Sequence, residues 1–107
     1  MTARTRGKRR AARPARDPYV FQVFVAGSQP NSALAVRNLV RLCNAHIPGR
    51  YQIRTIDVLK HADAAIRHNV IVTPTSILVS PLPRVTLFGT LGDPRQVLSA
   101  LRLAGER

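Results

Sequence analysis

At 107 residues the chain has room for one domain, and a formal charge of +12, from 17 basic against 5 acidic residues, makes it strongly cationic. A single cysteine, Cys43, excludes an internal disulfide and a zinc quartet. No apolar run reaches the roughly 18 residues that a membrane-crossing helix needs.

Residues 1–18 hold seven of the basic residues against Asp17, with two prolines and no periodicity, the composition of a disordered arm. Two readings stay open for it. It is a solubilising tail, or it anchors the chain to nucleic acid or another acidic surface. With no aromatic residue to stack on bases, such binding would be weak, electrostatic and non-specific. Arg9-Arg10 is not followed by an apolar region, so it does not make a twin-arginine export signal. Residues 1–16 are Arg-rich and acid-free like a transit peptide, but their apolar residues are only alanines, which makes an amphipathic helix weak, and the expected compartment is the cytoplasm.

The domain is expected over residues 19–107. Tyr19 to Ala26 is rich in aromatic and β-branched residues with one polar position, Gln22, which predicts a strand buried on both faces. Gly27 ends it, and Pro30 suits the first turn of a helix. Val36, Leu39, Val40, Cys43 and Ile47 follow helical spacing over residues 31–46, with Arg37, Asn38, Arg41 and Asn44 on the other side. Cys43 lies on the apolar stripe as a core thiol. Pro48-Gly49 stops the helix. Tyr51 to Leu59 alternates as a second, more exposed strand.

Lys60 to Asn69 is helix-compatible, with Ala62, Ala65 and Ile66 expected inward. Thr73-Pro74-Thr75 then opens a central strand over Ser76 to Val79. Proline lacks an N–H, so it enters a strand rather than interrupting one, and the turn has room for a cis bond. Pro81-Leu82-Pro83 bends the chain into a fourth strand, Arg84 to Phe88. Thr90 or Asp93 caps a last helix whose inner face is Val97, Leu98 and Leu101 and whose end is marked by Gly105.

The order β-α-β-α-β-β-α predicts an α/β fold of thioredoxin-like layout: a mixed four-stranded sheet with helices on both faces. The β-α-β portions predict right-handed crossovers between parallel neighbours, and the last two strands an antiparallel pair.

Little in this chain calls for catalysis. Thiol–disulfide exchange needs a thiolate, and the loop Gly27 to Ser32 after the first strand has no cysteine. Ser28 and Ser32 have no histidine placed near them by sequence. His61 and His68, seven apart on one helical face, make only a weak metal pair and read as surface residues. Asp57, Asp63, Asp93 and Glu106 show no pairing motif. The expectation is no enzyme and no cofactor.

Five short motifs occur in order with matched gaps: Val25-Ala26-Gly27, Pro30-Asn31-Ser32, Ile56-Asp57-Val58-Leu59-Lys60, Thr73-Pro74-Thr75, and Gly89 followed by the Val97-Leu98 helix. Over residues 19–103 they resemble the KaiB family of small clock proteins. The resemblance implies a non-enzymatic adaptor that docks on a KaiC-type ATPase or a histidine kinase, in a timing or stress pathway, with homo-oligomers among its states. It also implies two packings of the C-terminal half, separated by only a few kcal/mol.

By position in the family, Tyr51, Arg54 and Lys60 are candidate partner contacts. The fold-switch candidates are the hinge Thr73-Pro74, Gly89-Thr90 where the family has Gly-Asp, and Ala100 and Arg102 where it carries weaker helix formers. Alanine and arginine favour helix over glycine and aspartate by roughly 0.5–1 kcal/mol per site. These departures predict a thioredoxin-like resting state.

Overall fold

The most apolar stretch of the sequence lies in the middle of the sheet. In the computed structural model, which describes residues 18–102, the elements are β1 (Tyr19–Val25), α1 (Pro30–His46), β2 (Tyr51–Asp57), α2 (Ala62–Arg67), β3 (Thr75–Ser80), β4 (Val85–Phe88) and α3 (Pro94–Leu101). The strand order is β2-β1-β3-β4. All of the expected arm over residues 1–18 except Pro18, and the expected stop at Gly105, lie outside the described residues.

Alternation along β1 sends its side chains to two separate cores. Phe21, Val23 and Val25 face α1 and α3 and pack with Leu39, Leu42 and Cys43. Phe24 faces the other way and packs with Ala64 of α2 and Ile77. Phe21, Val23 and Phe24 are fully buried, and each such side chain contributes about 1.5–3 kcal/mol through burial. The helices therefore cover both faces, with α2 alone on one side.

β1 and β2 are parallel, with Phe21 opposite Ile53 and Phe24 opposite Ile56. α1 supplies the crossover between them. The expectation of a second parallel crossover fails: β3 runs antiparallel to β1, with Phe21 opposite Leu78 and Phe24 opposite Thr75. The reason is length. The six residues of α2 advance about 9 Å at 1.5 Å each, less than half the run of a seven-residue strand. The chain never returns to the far end of the sheet, so it re-enters from the end it left. β4 then pairs antiparallel with β3, as expected.

The expected inward stripe of α1 is displaced. Its buried line is Ser32, Ala35, Leu39, Leu42 and Cys43, while Val36 and Val40 are half-buried. The small Ala35 lets the helix approach the sheet, and a reading that weighs large side chains misses it. The expected inner face of α2 is also corrected. Ala64 is buried, Ala65 half-buried and Ala62 exposed, and Ile66 is 76% exposed. The helix begins two residues late because the Lys60 and His61 N–H groups bond to the Asp57 carbonyl in a turn, which rotates the face. In α3, Val97 and Leu101 are buried, Leu98 is half-buried, and Asp93 caps the N-terminus by accepting from the Arg95 and Gln96 N–H groups.

The loop end of the sheet as a candidate binding site

Four connections meet at one end of the sheet: the β1–α1 loop, the β2–α2 turn, the Thr73-Pro74 turn into β3, and the Gly89-Thr90 turn out of β4. Asp57, the last residue of β2, ties the first two together. Its Oδ1 accepts from the Gly27 N–H and from the Leu59 N–H, each at 3.0 Å. These two backbone donors hold the carboxyl below its usual value. Gly27 has φ +60, where glycine is the favoured residue, and a Cβ there would press on Leu59 Cδ1 at 3.3 Å.

The rest of this end is equally tied. The Ala26 N–H donates to the buried Ser32 Oγ at 3.2 Å. The Thr75 hydroxyl donates to the Val72 carbonyl, the Thr73–Pro74 bond is cis, and the Gly89 N–H donates to the Pro74 carbonyl at 3.0 Å. Asn38 reaches from α1 to the Thr90 carbonyl at 2.8 Å. Around this backbone framework stand apolar side chains that no core absorbs: Leu59 at 73% exposure, Ile71 at 90% and Val72 at 50%. Lys60 is exposed beside them. The arrangement offers an ordered, partly apolar, cationic platform, which is what a protein partner binds.

The sequence-derived contact candidates do not form one cluster. Tyr51 opens β2, faces the α1 side, and donates its hydroxyl to Asn44 Oδ1 at 2.6 Å. Arg54 is exposed and sits opposite Gln22, on the other face of the sheet. Lys60 lies past the far end of β2, roughly 20 Å along the strand from Tyr51. Of the three, only Lys60 joins the loop end. Leu59, Ile71 and Val72 are not among the sequence-derived contact candidates. Leu59 reads as the end of the alternating strand, which stops at Asp57, and Ile71 and Val72 are apolar residues without periodicity just before the Thr73-Pro74 turn.

Among the fold-switch candidates, Gly89 adopts φ +85 and Ala100 is an exposed position inside α3. Arg102 differs from its expected role. It is not within the helix but caps it at φ 62, ψ 28, in the left-handed region. At such a position glycine is favoured over arginine, so the helix-propensity argument applies to Ala100 and reverses for Arg102.

The chemistry near the loop end is limited. Cys43 is buried in α1, and burial pushes its thiol up to about 12. His61 precedes α2 and is exposed, while His68 follows it, lies tilted at 48° against Phe24 with ring centroids 5.4 Å apart, and accepts at Nδ1 from Arg84 at 3.2 Å. The two histidines do not converge. All three carboxylates among the described residues have partners within the chain: Asp57 as above, Asp93 as the α3 cap, and Asp63 with Arg67 at 2.8 Å.

The KaiB domain model matches residues 22–103. The chain belongs to the KaiB family. It is 36% identical over 88 residues to the circadian clock oscillator protein KaiB of Synechococcus elongatus, covering 82% of this chain and 86% of that one. It is 37% identical over 91 residues to KaiB of Acaryochloris marina, covering 85% and 88%. Among solved structures, the fold resembles the N-terminal domain of Synechococcus elongatus SasA, with a TM-score of 0.67 and 23% identity over 80% of this chain and 85% of that one. It also resembles chloroplastic thioredoxin z, with a TM-score of 0.66 and 19% identity over 85% and 82%. At these identities the two structures speak for the thioredoxin-like fold alone. Among the described residues, no helix of this KaiB-family chain is long and apolar enough to cross a membrane.

Proposed function

We propose that this KaiB-family chain is a regulatory adaptor without enzyme activity of its own, resting in the thioredoxin-like state. It binds a KaiC-type ATPase or a signalling histidine kinase in a timing or stress pathway. The observation that carries this reading is a set of exposed apolar residues at one end of the sheet: Leu59, next to Lys60 on backbone held by Asp57, and Ile71 and Val72 at the Thr73-Pro74 turn, where the Val72 carbonyl accepts from the Thr75 hydroxyl. A thiol-exchange role draws no support from a β1–α1 loop of Ser28, Gln29, Pro30, Asn31 and Ser32, nor from a cysteine whose thiol is raised to about 12.

The test is titration calorimetry of the purified chain against a KaiC-type ATPase and against a KaiB-responsive histidine kinase. Replacing Leu59 and Ile71 together by serine removes exposed apolar surface without opening a cavity. A loss of at least tenfold in affinity, about 1.4 kcal/mol, is expected for that variant, with a further loss for Lys60→Ala. Unchanged binding in the serine variant would move the site elsewhere. The variants Tyr51→Ala and Arg54→Ala test whether β2 contributes a second contact region. The resting state is checked by the NMR secondary shifts of residues 94–101, which read as strand if the other packing dominates.

A further inference from the structure

β4 is an outer strand whose free side has no strand neighbour among the described residues, and its phase can be worked out. The Gly89 N–H donates to the Pro74 carbonyl, and Phe88 lies opposite Thr75 and Leu87 opposite Ser76. In an antiparallel ladder, bonded and non-bonded pairs alternate. Gly89 with Pro74, Leu87 with Ser76 and Val85 with Leu78 are therefore the bonded pairs. Thr86 and Phe88 turn their N–H and C=O groups outward, to the free edge.

The two outer strands differ in how they are guarded. β2 carries exposed Gln52 and Arg54, and a charge on an edge resists pairing. β4 reads Val-Thr-Leu-Phe, with no charge and no proline, and its Phe88 is 66% exposed. Each face beside it holds a groove. On the α3 side a groove of about 300 Å³ is lined by Leu87, Leu91, Gln96, Val97 and Ala100, with Asp93 at its rim. On the α2 side a groove of about 450 Å³ is lined by Arg67, His68, Arg84, Thr86 and Phe88. One groove is mainly apolar with a carboxylate at its rim, and the other is cationic.

We propose that the free edge of β4 is a second docking site, which takes an extended acidic segment of a partner protein as a fifth strand. A strand added there exchanges backbone bonds with Thr86 and Phe88. Its residues opposite Thr86 and Phe88 project to the α2 side, where a carboxylate meets Arg84. The residue between them projects into the α3 groove, where Asp93 disfavours a second carboxylate and Val97 and Ala100 favour an aliphatic side chain. The recognised pattern is thus alternating acidic and aliphatic. This surface meets the loop end at Gly89 but takes in none of Leu59, Lys60, Ile71 and Val72, and it does not depend on the partner assigned there.

The probe is a fluorescein-labelled six-residue peptide of alternating Glu and Val, with a Lys-Val counterpart and a Glu-Val version N-methylated at alternate amides. Binding is read by fluorescence anisotropy at physiological salt. The protein variants are Thr86→Pro, which removes an outward N–H while proline remains tolerated on an edge, and Arg84→Glu. The expected result is binding of the Glu-Val peptide, at least tenfold weaker for the N-methylated peptide and for Thr86→Pro, and a preference for Lys-Val in Arg84→Glu. Equal binding by Thr86→Pro and by the N-methylated peptide would reduce the interaction to diffuse attraction by a cationic protein and overturn the proposal. So would concentration-dependent dimerisation in sedimentation that Thr86→Pro abolishes, because the edge would then pair with a second copy of itself. If circular dichroism shows Thr86→Pro unfolded, the N-methylated peptide, which leaves the protein untouched, decides alone.

Discussion

Two glycine substitutions near the end of α3 are expected to act with opposite sign. Arg102 closes the helix at φ 62, ψ 28, with its N–H bonded to the Ser99 carbonyl at 3.1 Å. An L-residue held in that region costs roughly 1–2 kcal/mol relative to its right-handed alternatives, and glycine escapes this. Glycine also loses more backbone freedom on folding, about 0.5–1 kcal/mol. Arg102→Gly should therefore stabilise the chain by about 0.5–1 kcal/mol. Ala100 has helical backbone on both sides and an exposed side chain, so Ala100→Gly brings only the cost, about 1 kcal/mol.

The two variants are thus separated by about 1.5–2 kcal/mol, or upwards of roughly 6 °C in Tm for a domain this size. Equilibrium urea unfolding with a shared m-value resolves that difference. If both substitutions destabilise equally, Arg102 is a helical residue, α3 continues through it, and the left-handed cap is refuted. The pair also bears on the two-packing question. Ala100 favours the helical ending and Arg102, in the left-handed region, works against it.

Three further outcomes can be measured. Ser76 is fully buried on β3 and its Oγ has no hydrogen-bond partner among the described residues; Ser76→Ala should be neutral to about 1 kcal/mol stabilising in urea melts, because an unpaired buried hydroxyl costs more than the methyl that replaces it. Cys43, with its thiol at about 12, should react with an aromatic disulfide reagent at pH 8 only as fast as the chain opens, and labelling much faster than unfolding would contradict its burial. Asp57 has a folded value below 3.8, so its contribution to stability is complete above 3.8 and is lost as the pH falls through the lower folded value. Asp57→Asn keeps the oxygen that accepts from Gly27 and Leu59 but cannot titrate, so the fall in stability below about pH 4 should be shallower than in the parent chain; an unchanged acid limb would show that the clamp is not the group titrating there.

The sequence carried the element order because its signals were local. An eight-residue apolar run flanked by Gly27, a proline at the start of α1 and a capping aspartate at α3 each specify their structure within a few residues. What it did not carry depends on contacts distant in the chain. The direction of β3 follows from the shortness of α2, and a segment with three alanines, Ala62, Ala64 and Ala65, gives little contrast between faces, so Ile66 reads as inward although it points out. Asp57 looked like an isolated carboxylate because its partners are backbone N–H groups, one of them thirty residues away. The apolar side chains of the loop end were legible only as residues out of place in a turn. The outward phase of Thr86 and Phe88 could not be read at all without the bond between Gly89 and Pro74.

The balance of charge over the described residues has a kinetic consequence. Nine basic and three acidic side chains lie within residues 18–102, and the acidic ones are spent on a loop clamp, a helix cap and a pair within α2. Those contacts do not remove the carboxylate charges, but nine basic against three acidic residues leave a net +6 (9 − 3), so the field an approaching molecule meets is positive on balance, reaching about a Debye length, roughly 8–10 Å at 0.1–0.15 M salt. Fields of this kind act mainly on how fast partners meet, raising association rates by 10 to 1000-fold at low salt, with little hold on how long they stay. On the proposed adaptor role, ionic strength would set the rate of encounter, while the residence time would be set by the apolar side chains of the loop end.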